Sequence, residues 1–487
     1  MSQARRSVSL SLADGALSLV LQFAATLVVA RLVAPADIGV FTLAALVLAI
    51  AGRLRDFGIG EYLVQAADDA PARVRAALGL NLLVSWLLAA LVFAGAGLIG
   101  ELYRDPRVTE AIRWMAVNLL VVPFGAVCLA SAQRRIDFRP MFIASLLSNL
   151  THFAVAVGGA MAGLGFRSLV FASIAGVVVS VGVAVLGRPA GMSLVPATGG
   201  WREMAGFGGH LAGLSVLTQA GRSLNELAIG RVLGVEPTAL YSRAQGLVEM
   251  LSGLASRVVS PLALALYAAD ARQGDPQAAR FLQVQSLLTG VAWPFLFALA
   301  VLAEPVVALL YGPVWHASAA LLPVLCLAAG LELACSSWQD LLVSRGAVAQ
   351  AHRLQAAAQL LRLPGLALIG PWGLAGAAWG ALLSSLLVSA LAMRAVSRHA
   401  GIGAGDWLRA LRPSLITGLC CLALAWPVLL AVRAQALGGP GWLALAAPVL
   451  ALGWLLALRL ADHPLWPHAQ ALWLRRGAGP GISGGPA

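Results

Sequence analysis

An all-α integral membrane fold of about 14 transmembrane helices is predicted, with two six-helix lobes related by an internal repeat and two further C-terminal helices. Three observations predict it: long apolar runs, a deficit of charge, and a pattern that recurs after 200 residues. The 487-residue chain is 60% hydrophobic and 11% charged, with mean hydropathy +0.85. A soluble domain carries about 25% charged residues. Runs such as Ala77 to Ile99 and Ser168 to Leu186 reach the roughly 20 residues that cross hydrocarbon as a helix. In lipid the backbone must satisfy its own hydrogen bonds, which leaves a helix or a closed barrel. The runs do not alternate, and they exceed the roughly 10 residues of a barrel strand, so helices are selected.

Taken in order, the spans fall approximately at 9–30, 37–55, 77–99, 111–132, 141–164, 167–187, 204–229 and 237–262. They continue approximately at 284–310, 316–343, 350–370, 373–397, 412–435 and 441–461. Turn and cap residues punctuate them: Ala34-Pro35-Ala36-Asp37, Arg104-Asp105-Pro106, Arg188-Pro189, Gly312-Pro313 and Gly439-Pro440. The first apolar run has no cleavage signature after it and reads as a retained span.

Charge sets the orientation. The formal net charge is +12, and all 33 basic residues are arginine. With a cytoplasmic N-terminus, roughly 22 arginines collect inside and roughly 7 outside. Arg222, Arg243, Arg257 and Arg362 lie within spans. An even number of spans keeps Arg475 and Arg476 inside, so both termini are expected in the cytoplasm. The arginines are thus topological, and no nucleic-acid partner is expected. No connection exceeds about 25 residues, too short for an aqueous catalytic domain. The five cysteines and seven histidines show no metal-ligand spacing, and neither a metal nor a cofactor is expected.

The segment Ala30-Arg-Leu-Val-Ala-Pro-Ala-Asp-Ile-Gly-Val-Phe41 precedes Gly230-Arg-Val-Leu-Gly-Val-Glu-Pro-Thr-Ala-Leu-Tyr241 by 200 residues. Each ends a span with arginine, turns through a Pro-containing loop and restarts at an aromatic. Ala66-Ala-Asp-Asp69 echoes Ala268-Ala-Asp-Ala271, and Gly163-Leu-Gly-Phe resembles Gly373-Leu-Ala-Gly. This divides the chain into lobes at 1–200 and 201–400, with 401–487 holding two more helices and a short tail. Same-sense repeats of six spans are a transporter architecture with the substrate at the repeat interface.

Span seven carries the most chemistry. At about 100° per residue, Ser215, Thr218, Gln219, Arg222, Asn225 and Glu226 fall within roughly 60° of Arg222. Such a stripe faces protein or a wet cavity, because a charge in the bilayer centre costs at least about 2.5–3.5 kcal/mol. Subtracting 200 places Ser18, Gln22 and Thr26 opposite Thr218, Arg222 and Glu226, and Asp14, Ser18 and Gln22 make their own stripe. The two first helices therefore present polar faces at matched depth. Span eight adds Gln245, Glu249, Ser252 and Ser256, and span ten adds Glu332, Ser336 and Gln339. An unpartnered buried carboxylate takes up protons readily, which makes Asp14, Glu249 and Glu332 ion-coupling candidates. Each reads more readily as a paired structural acid. Gly159-xxx-Gly163 and Gly376-xxx-Gly380 read as close helix packing.

The chain resembles the polysaccharide transporters, or Wzx-type oligosaccharide flippases, of the multidrug/oligosaccharidyl-lipid/polysaccharide exporter superfamily. The resemblance covers most of residues 8–400. It rests on Ala30-Arg-Leu-Val-Ala-Pro-Ala-Asp-Ile-Gly-Val-Phe-Thr-Leu-Ala44, Asp56-Phe-Gly-Ile-Gly60, Arg135-Ile-Asp-Phe138, Ile229-Gly-Arg-Val-Leu-Gly234 with Tyr241-Ser-Arg-Ala244, and Ala303-Glu-Pro-Val-Val-Ala-Leu-Leu-Tyr-Gly312. It implies two six-helix lobes about a central cavity, alternating access without ATP hydrolysis, and a polyprenyl-diphosphate-linked oligosaccharide as substrate. The implied setting is the bacterial cytoplasmic membrane, with exopolysaccharide or lipopolysaccharide synthesis as the process. Membrane lipids and polysaccharide polymerase machinery are the partner classes. The family often has Asp where this chain has Glu226, a change that keeps the charge. The residues suit that substrate. Arg222 and Arg31 offer charge-assisted hydrogen bonds to a diphosphate, and Thr218, Gln219, Asn225, Ser18 and Gln22 suit sugar hydroxyls. Two other readings stay open: a cation-coupled multidrug exporter, which the arginines disfavour, and a membrane glycan polymerase or ligase, which lacks a large outer loop here.

Overall fold

The computed structural model describes residues 2–56, 71–135, 137–189, 191–273, 277–344, 346–434, 441–468 and 470. Among them the chain is helical, without strands. It packs as two compact units. The first comprises residues up to Ser242 together with Leu310–Trp315. It contains α1 (Ser2–Leu32), α2 (Pro35–Asp56), α3 (Pro71–Tyr103), α4 (Pro106–Met115), α5 (Val117–Arg134), α6 (Arg139–Met161), α7 (Phe166–Leu186), α8 (Trp201–Val232) and the start of α9 (Val235–Gln273). The second comprises Arg243–Leu309 and the chain from His316 onward. It holds the rest of α9, α10 (Gln277–Val301), α11 (Ala303–Leu310), α12 (His316–Ala334), α13 (Trp338–Ser344), α14 (Val348–Leu360), α15 (Leu363–Leu366), α16 (Ile369–Ala400), α17 (Ala404–Arg433) and α18 (Gly441–Leu460).

Each expected span falls on one helix or on consecutive helices joined end to end, and the one expected at 350–370 takes in α14, α15 and the start of α16. Ten helical segments of the described residues are long and apolar enough to cross a bilayer, and Leu17–Leu32 of α1 is a shorter apolar stretch. Helix starts follow from local chemistry. Pro35, Pro71 and Pro106 open α2, α3 and α4, where a missing N–H costs nothing and the fixed φ suits the helix. The Asp105 side chain caps α4, accepting from the Arg107 N–H at 2.9 Å. Prolines inside α5, α10, α12, α17 and α18 are tolerated because neighbouring helices re-satisfy the backbone.

In the first unit α2 is central. Its Val40, Leu43, Ala44 and Leu48 pack with Ala96 of α3, Ile112 and Met115 of α4, and Val170 of α7. The same unit has a second core at the opening turns of α3, where Leu78 and Leu82 meet Val127 of α5 and Met204 of α8. Residues Leu310–Trp315 also join this unit: the buried Trp315 Nε1 donates to the Ala30 carbonyl at 2.8 Å. In the second unit Phe281, Trp338, Val396 and Trp407 form one core, and Leu302, Val428, Leu429 and Trp442 form another. Large apolar side chains remain outside both, such as Leu91 on α3 and Leu419 and Trp426 on α17. That much apolar exposure marks surfaces whose solvent is lipid.

The repeat is visible in backbone geometry. Helices α1 and α2 break between Leu32 and Pro35, and α8 and α9 break between Val232 and Val235, at the 200-residue spacing. By Tyr103 and Tyr311 the spacing is 208, and the residue after each tyrosine, Arg104 and Gly312, has positive φ of 56° and 96°. Gly165 (φ 54°, ψ −131°) and Gly373 (φ 57°, ψ −137°) then share a conformation open only to glycine. The counterpart of Gly373 is therefore Gly165, two residues beyond the Gly163 that sequence alignment selects. Gly163 instead turns the chain after α6 with φ 76°, so only Gly159 of that pair packs closely, against Ser168. The other pair is a true close contact: side chains at Gly376 and Gly380 would collide with the backbone carbonyls of Leu368 and Gly365.

Beyond α18, the chain turns back and buries His463 against α10 and α17. His463 is 1% exposed, accepts from the Leu465 N–H at Nδ1 (3.0 Å) and contacts Ser414 Oγ through Nε2 (3.0 Å). With Nδ1 accepting, the neutral ring donates from Nε2 to Ser414, whose own hydroxyl donates to the Ser286 carbonyl at 3.1 Å. Burial lowers the His463 pKa to about 4.

Two outcomes are expected. Gly380→Val drives a side chain into the Gly365 carbonyl and lowers stability by about 1–3 kcal/mol, read as a fall in detergent Tm; an unchanged Tm contradicts the contact. The folded state resists protonating His463 and the unfolded chain does not. Stability is therefore intact above pH 6.5, falls as pH drops towards 4, and flattens below, by roughly 3 kcal/mol in all. His463→Gln removes that slope in pH-dependent unfolding.

Candidate functional site

The first unit collects the polar residues of α1, α2, α6 and α8. Ser18 of α1 bonds Ser145 Oγ of α6 at 2.9 Å and accepts from Asn149 Nδ2 at 3.0 Å. One turn on, the exposed Gln22 reaches Asn149 Oδ1 at 3.5 Å. The α1 stripe is thus laid against α6, and Asn149 bridges its two members. Asp14, the third member, has a side chain outside the described residues.

Helix α8 packs on α2 and α3, and Gly230 lets its backbone approach Leu43 and Tyr103. On this helix Ser215, Thr218, Gln219, Asn225 and Glu226 are half-buried, and Arg222 is exposed. Gln219 Oε1 accepts from Arg53 Nε of α2 across a long 3.4 Å, and its Nε2 donates to the buried Ser223 at 3.2 Å. Asn225 Nδ2 donates to the buried Tyr241 phenol at 3.1 Å. Arg31 and Arg231 sit exposed in the last turns of α1 and α8, where a cation complements the helix dipole. Within one unit, then, the α8 stripe presents two amides, the Ser215 and Thr218 hydroxyls, and Arg222 on the same face as Glu226, with Arg53 added from α2. These groups can donate to phosphate oxygens and both donate to and accept from sugar hydroxyls.

The second unit holds the remaining candidates. Glu249 is exposed on α9 and accepts from Gln245 Nε2 at 3.1 Å. Glu332 of α12 is ion-paired with Arg362 at 3.0 Å and accepts from Ser385 Oγ at 3.1 Å. Gln339 and Gln355 are hydrogen-bonded to each other. Glu332 therefore has a charged partner and a hydroxyl donor, which places it among paired acids.

Sequence reasoning did not single out Arg53, Ser145, Asn149 or Ser385. Ser145 and Asn149 carry a usable signal, since they share one face of α6 at i and i+4. Arg53 carries none, because near a helix end it reads as one more topological arginine. Arg362 was assigned to a span, and its distance of 30 residues from Glu332 hides the pairing.

A family model described as polysaccharide biosynthesis protein matches residues 28–320. The chain belongs to that family. The matched stretch runs from the end of α1 into α12. It takes in Arg53, Gln219, Arg222 and Glu226, and leaves Ser18, Gln22 and Glu332 outside. Among relatives, the teichuronic acid biosynthesis protein TuaB of Bacillus subtilis (strain 168) is 20% identical over 294 residues, 60% of this chain and 61% of TuaB. The chain thus matches less than two thirds of TuaB's length. The lipopolysaccharide biosynthesis protein WzxC of Escherichia coli (strain K12) is 22% identical over 373 residues, 74% of this chain and 73% of WzxC. The fold is similar to that of the lipid II flippase MurJ, solved in an inward closed conformation: TM-score 0.75 at 12% identity, covering 93% of this chain and 98% of MurJ. An inward-facing multidrug resistance MATE transporter of the MOP superfamily also matches, with TM-score 0.61 at 15% identity over 78% of this chain and 94% of that one.

One outcome follows for this member of the polysaccharide biosynthesis family. A double-mutant cycle on Glu332→Gln and Arg362→Gln is expected to give a coupling energy on the order of 1 kcal/mol, the scale of a part-exposed ion pair. Strictly additive losses of thermal stability would show that the two charges do not interact.

Proposed function

We propose that this protein is a flippase that moves a polyprenyl-diphosphate-linked oligosaccharide across the bacterial cytoplasmic membrane by alternating access, for exopolysaccharide or lipopolysaccharide synthesis. One observation carries the reading. A multi-helix membrane protein of a polysaccharide biosynthesis family, with the fold of a lipid II flippase, bears an arginine and amide-rich stripe on α8. A lipid-linked glycan pairs a diphosphate with sugar hydroxyls, and that stripe supplies a donor for each. Substrate contacts are assigned to Arg222, Glu226, Gln219, Thr218 and Asn225 of α8, and to Ser18, Gln22 and Arg31 of α1, with Arg53 added because it bonds Gln219. Diphosphate oxygens go to the arginines, where charge-assisted bonds are strongest. Asp14 and Glu249 remain the ion-coupling candidates. Glu332, paired with Arg362, would have to release that arginine before it could take up a proton.

The division at residues 200 and 400 describes the order of the repeat copies. Both termini are assigned to the cytoplasm, on the roughly threefold excess of arginine on that side. No bond is made or broken in the transported molecule, so the protein is read as a transporter and not an enzyme. Multidrug export is the second reading, favoured by the likeness to a MATE transporter; arginines on α8 and α2 suit an anionic substrate and disfavour a cationic drug.

A strain lacking the gene is expected to accumulate lipid-linked repeat units on the cytoplasmic leaflet. Complementation with Arg222→Ala should restore export at least about tenfold less well than wild type, the scale of one lost charge-assisted hydrogen bond. Normal glycan export in the deletion strain would rule out the flippase. Full rescue by the Arg222→Ala, Glu226→Ala double variant, with protein levels matched, would rule out the site.

A further inference from the structure

The first unit holds a recess of about 240 Å³ that the transport reading does not use. It lies where α3 begins (Pro71, Val74), where α5 ends (Ser131, Arg135), and along the segment after α7 (Pro189, Met192, Ser193). All these walls belong to one unit. That volume is smaller than the roughly 300–1,000 Å³ of a drug-sized pocket, and it suits a small polar group.

The segment after α7 is fixed in place by bonds to the first turns of α3. Arg75 Nε donates to the Val195 carbonyl at 3.0 Å, and the Ala197 N–H donates to the Arg75 carbonyl at 3.0 Å. Trp201 Nε1 closes the segment by donating to the Ala76 carbonyl at 3.0 Å. The wall is therefore laid on the first turns of α3 before any ligand arrives.

Its donors point to an anion. Ser193 Oγ accepts from the Val195 N–H at 3.3 Å, which leaves its hydroxyl proton to donate. Ser131 differs, since its proton is committed to the Val127 carbonyl at 2.9 Å. Arg135 brings a guanidinium to the rim, and the positive end of the α3 dipole opens beside it. The long-range field has the same sign. Among the described side chains, the helix ends on this side of the first unit carry eight arginines against two acids, Asp56 and Asp137. The opposite helix ends of the same unit carry six arginines against five acids, so the net charge there is close to zero.

The surroundings are apolar and exposed. Leu186, at the last residue of α7, is 86% exposed, and Val195 is 58% exposed. Contact with water is unfavourable for such side chains, whereas acyl chains cover them. A basic recess between helix ends, flanked by bare apolar side chains, matches the way membrane proteins hold anionic lipid headgroups.

We propose that this recess binds the phosphate of an anionic phospholipid in the leaflet at the arginine-rich end, with Arg135 and Ser193 donating to phosphate oxygens and Leu186 and Val195 meeting the acyl chains. The site stands apart from the transport stripe on α8 and does not depend on what is transported.

Native mass spectrometry of the detergent-purified, full-length protein tests it, with phosphatidylglycerol and phosphatidylcholine added in parallel. The expected result is a retained phosphatidylglycerol adduct, at least fivefold over phosphatidylcholine, with one fewer adduct in the Arg135→Ala, Ser193→Ala double variant. If that variant loses its wild-type Tm, Ser193→Ala alone is used, and a lower adduct occupancy is expected. Equal adduct counts in wild type and a folded variant would overturn the proposal. So would displacement of the adduct by millimolar inorganic phosphate as effectively as by excess phosphatidylglycerol, because the recess would then recognise free phosphate and not a lipid.

Discussion

Hydrocarbon offers no hydrogen bonds, and nearly every feature of this protein answers that constraint. The backbone responds by forming helices, whose bonds are internal. Side chains respond by finding partners on neighbouring helices. Ser18 meets Ser145 and Asn149, Asn225 meets a buried tyrosine, and Glu332 meets Arg362 and Ser385. Even Trp315 and Trp293 spend their indole N–H groups on backbone carbonyls of other elements. A polar group in this protein is informative chiefly through what it bonds.

The same constraint explains why small residues matter. Without a hydrophobic drive between helices, association rests on close packing. Gly380 on Gly365, Gly376 on Leu368 and Gly39 on Val235 bring backbones into contact that any side chain would block. Such contacts join elements into units and leave the polar stripes set at fixed positions within them. The α8 stripe is held in this way, because Gly230 seats its helix against Leu43 and Tyr103, and Gln219 then lies within reach of Arg53.

The repeat adds a second layer of economy. Two copies share the break between their first helices, positive φ after a tyrosine, and a glycine conformation near φ 55°. These are backbone requirements, and they persist where side chains have diverged. The copies differ in chemistry: α1 ties Ser18 and Gln22 to α6, and α8 carries Arg222 and Glu226. One architecture thus supports two polar faces of different character.

Composition and periodicity alone determined that the chain is helical, that it crosses a membrane many times, and that α1 and α8 carry polar stripes. Those properties depend on hydropathy and on a period of about 3.6 residues, both local to a segment. The break residues of the repeat were legible for the same reason. Tertiary structure alone decided which polar residues meet. Sequence could not name a partner for Glu332, because Arg362 lies 30 residues away, and Arg53 reads as topological because only packing sets it beside Gln219. It also moved the glycine correspondence from Gly163 to Gly165, since an insertion between copies is invisible in Ala- and Leu-rich sequence but plain in φ and ψ. Partnership across helices is a matter of distance in space, and no local pattern encodes it.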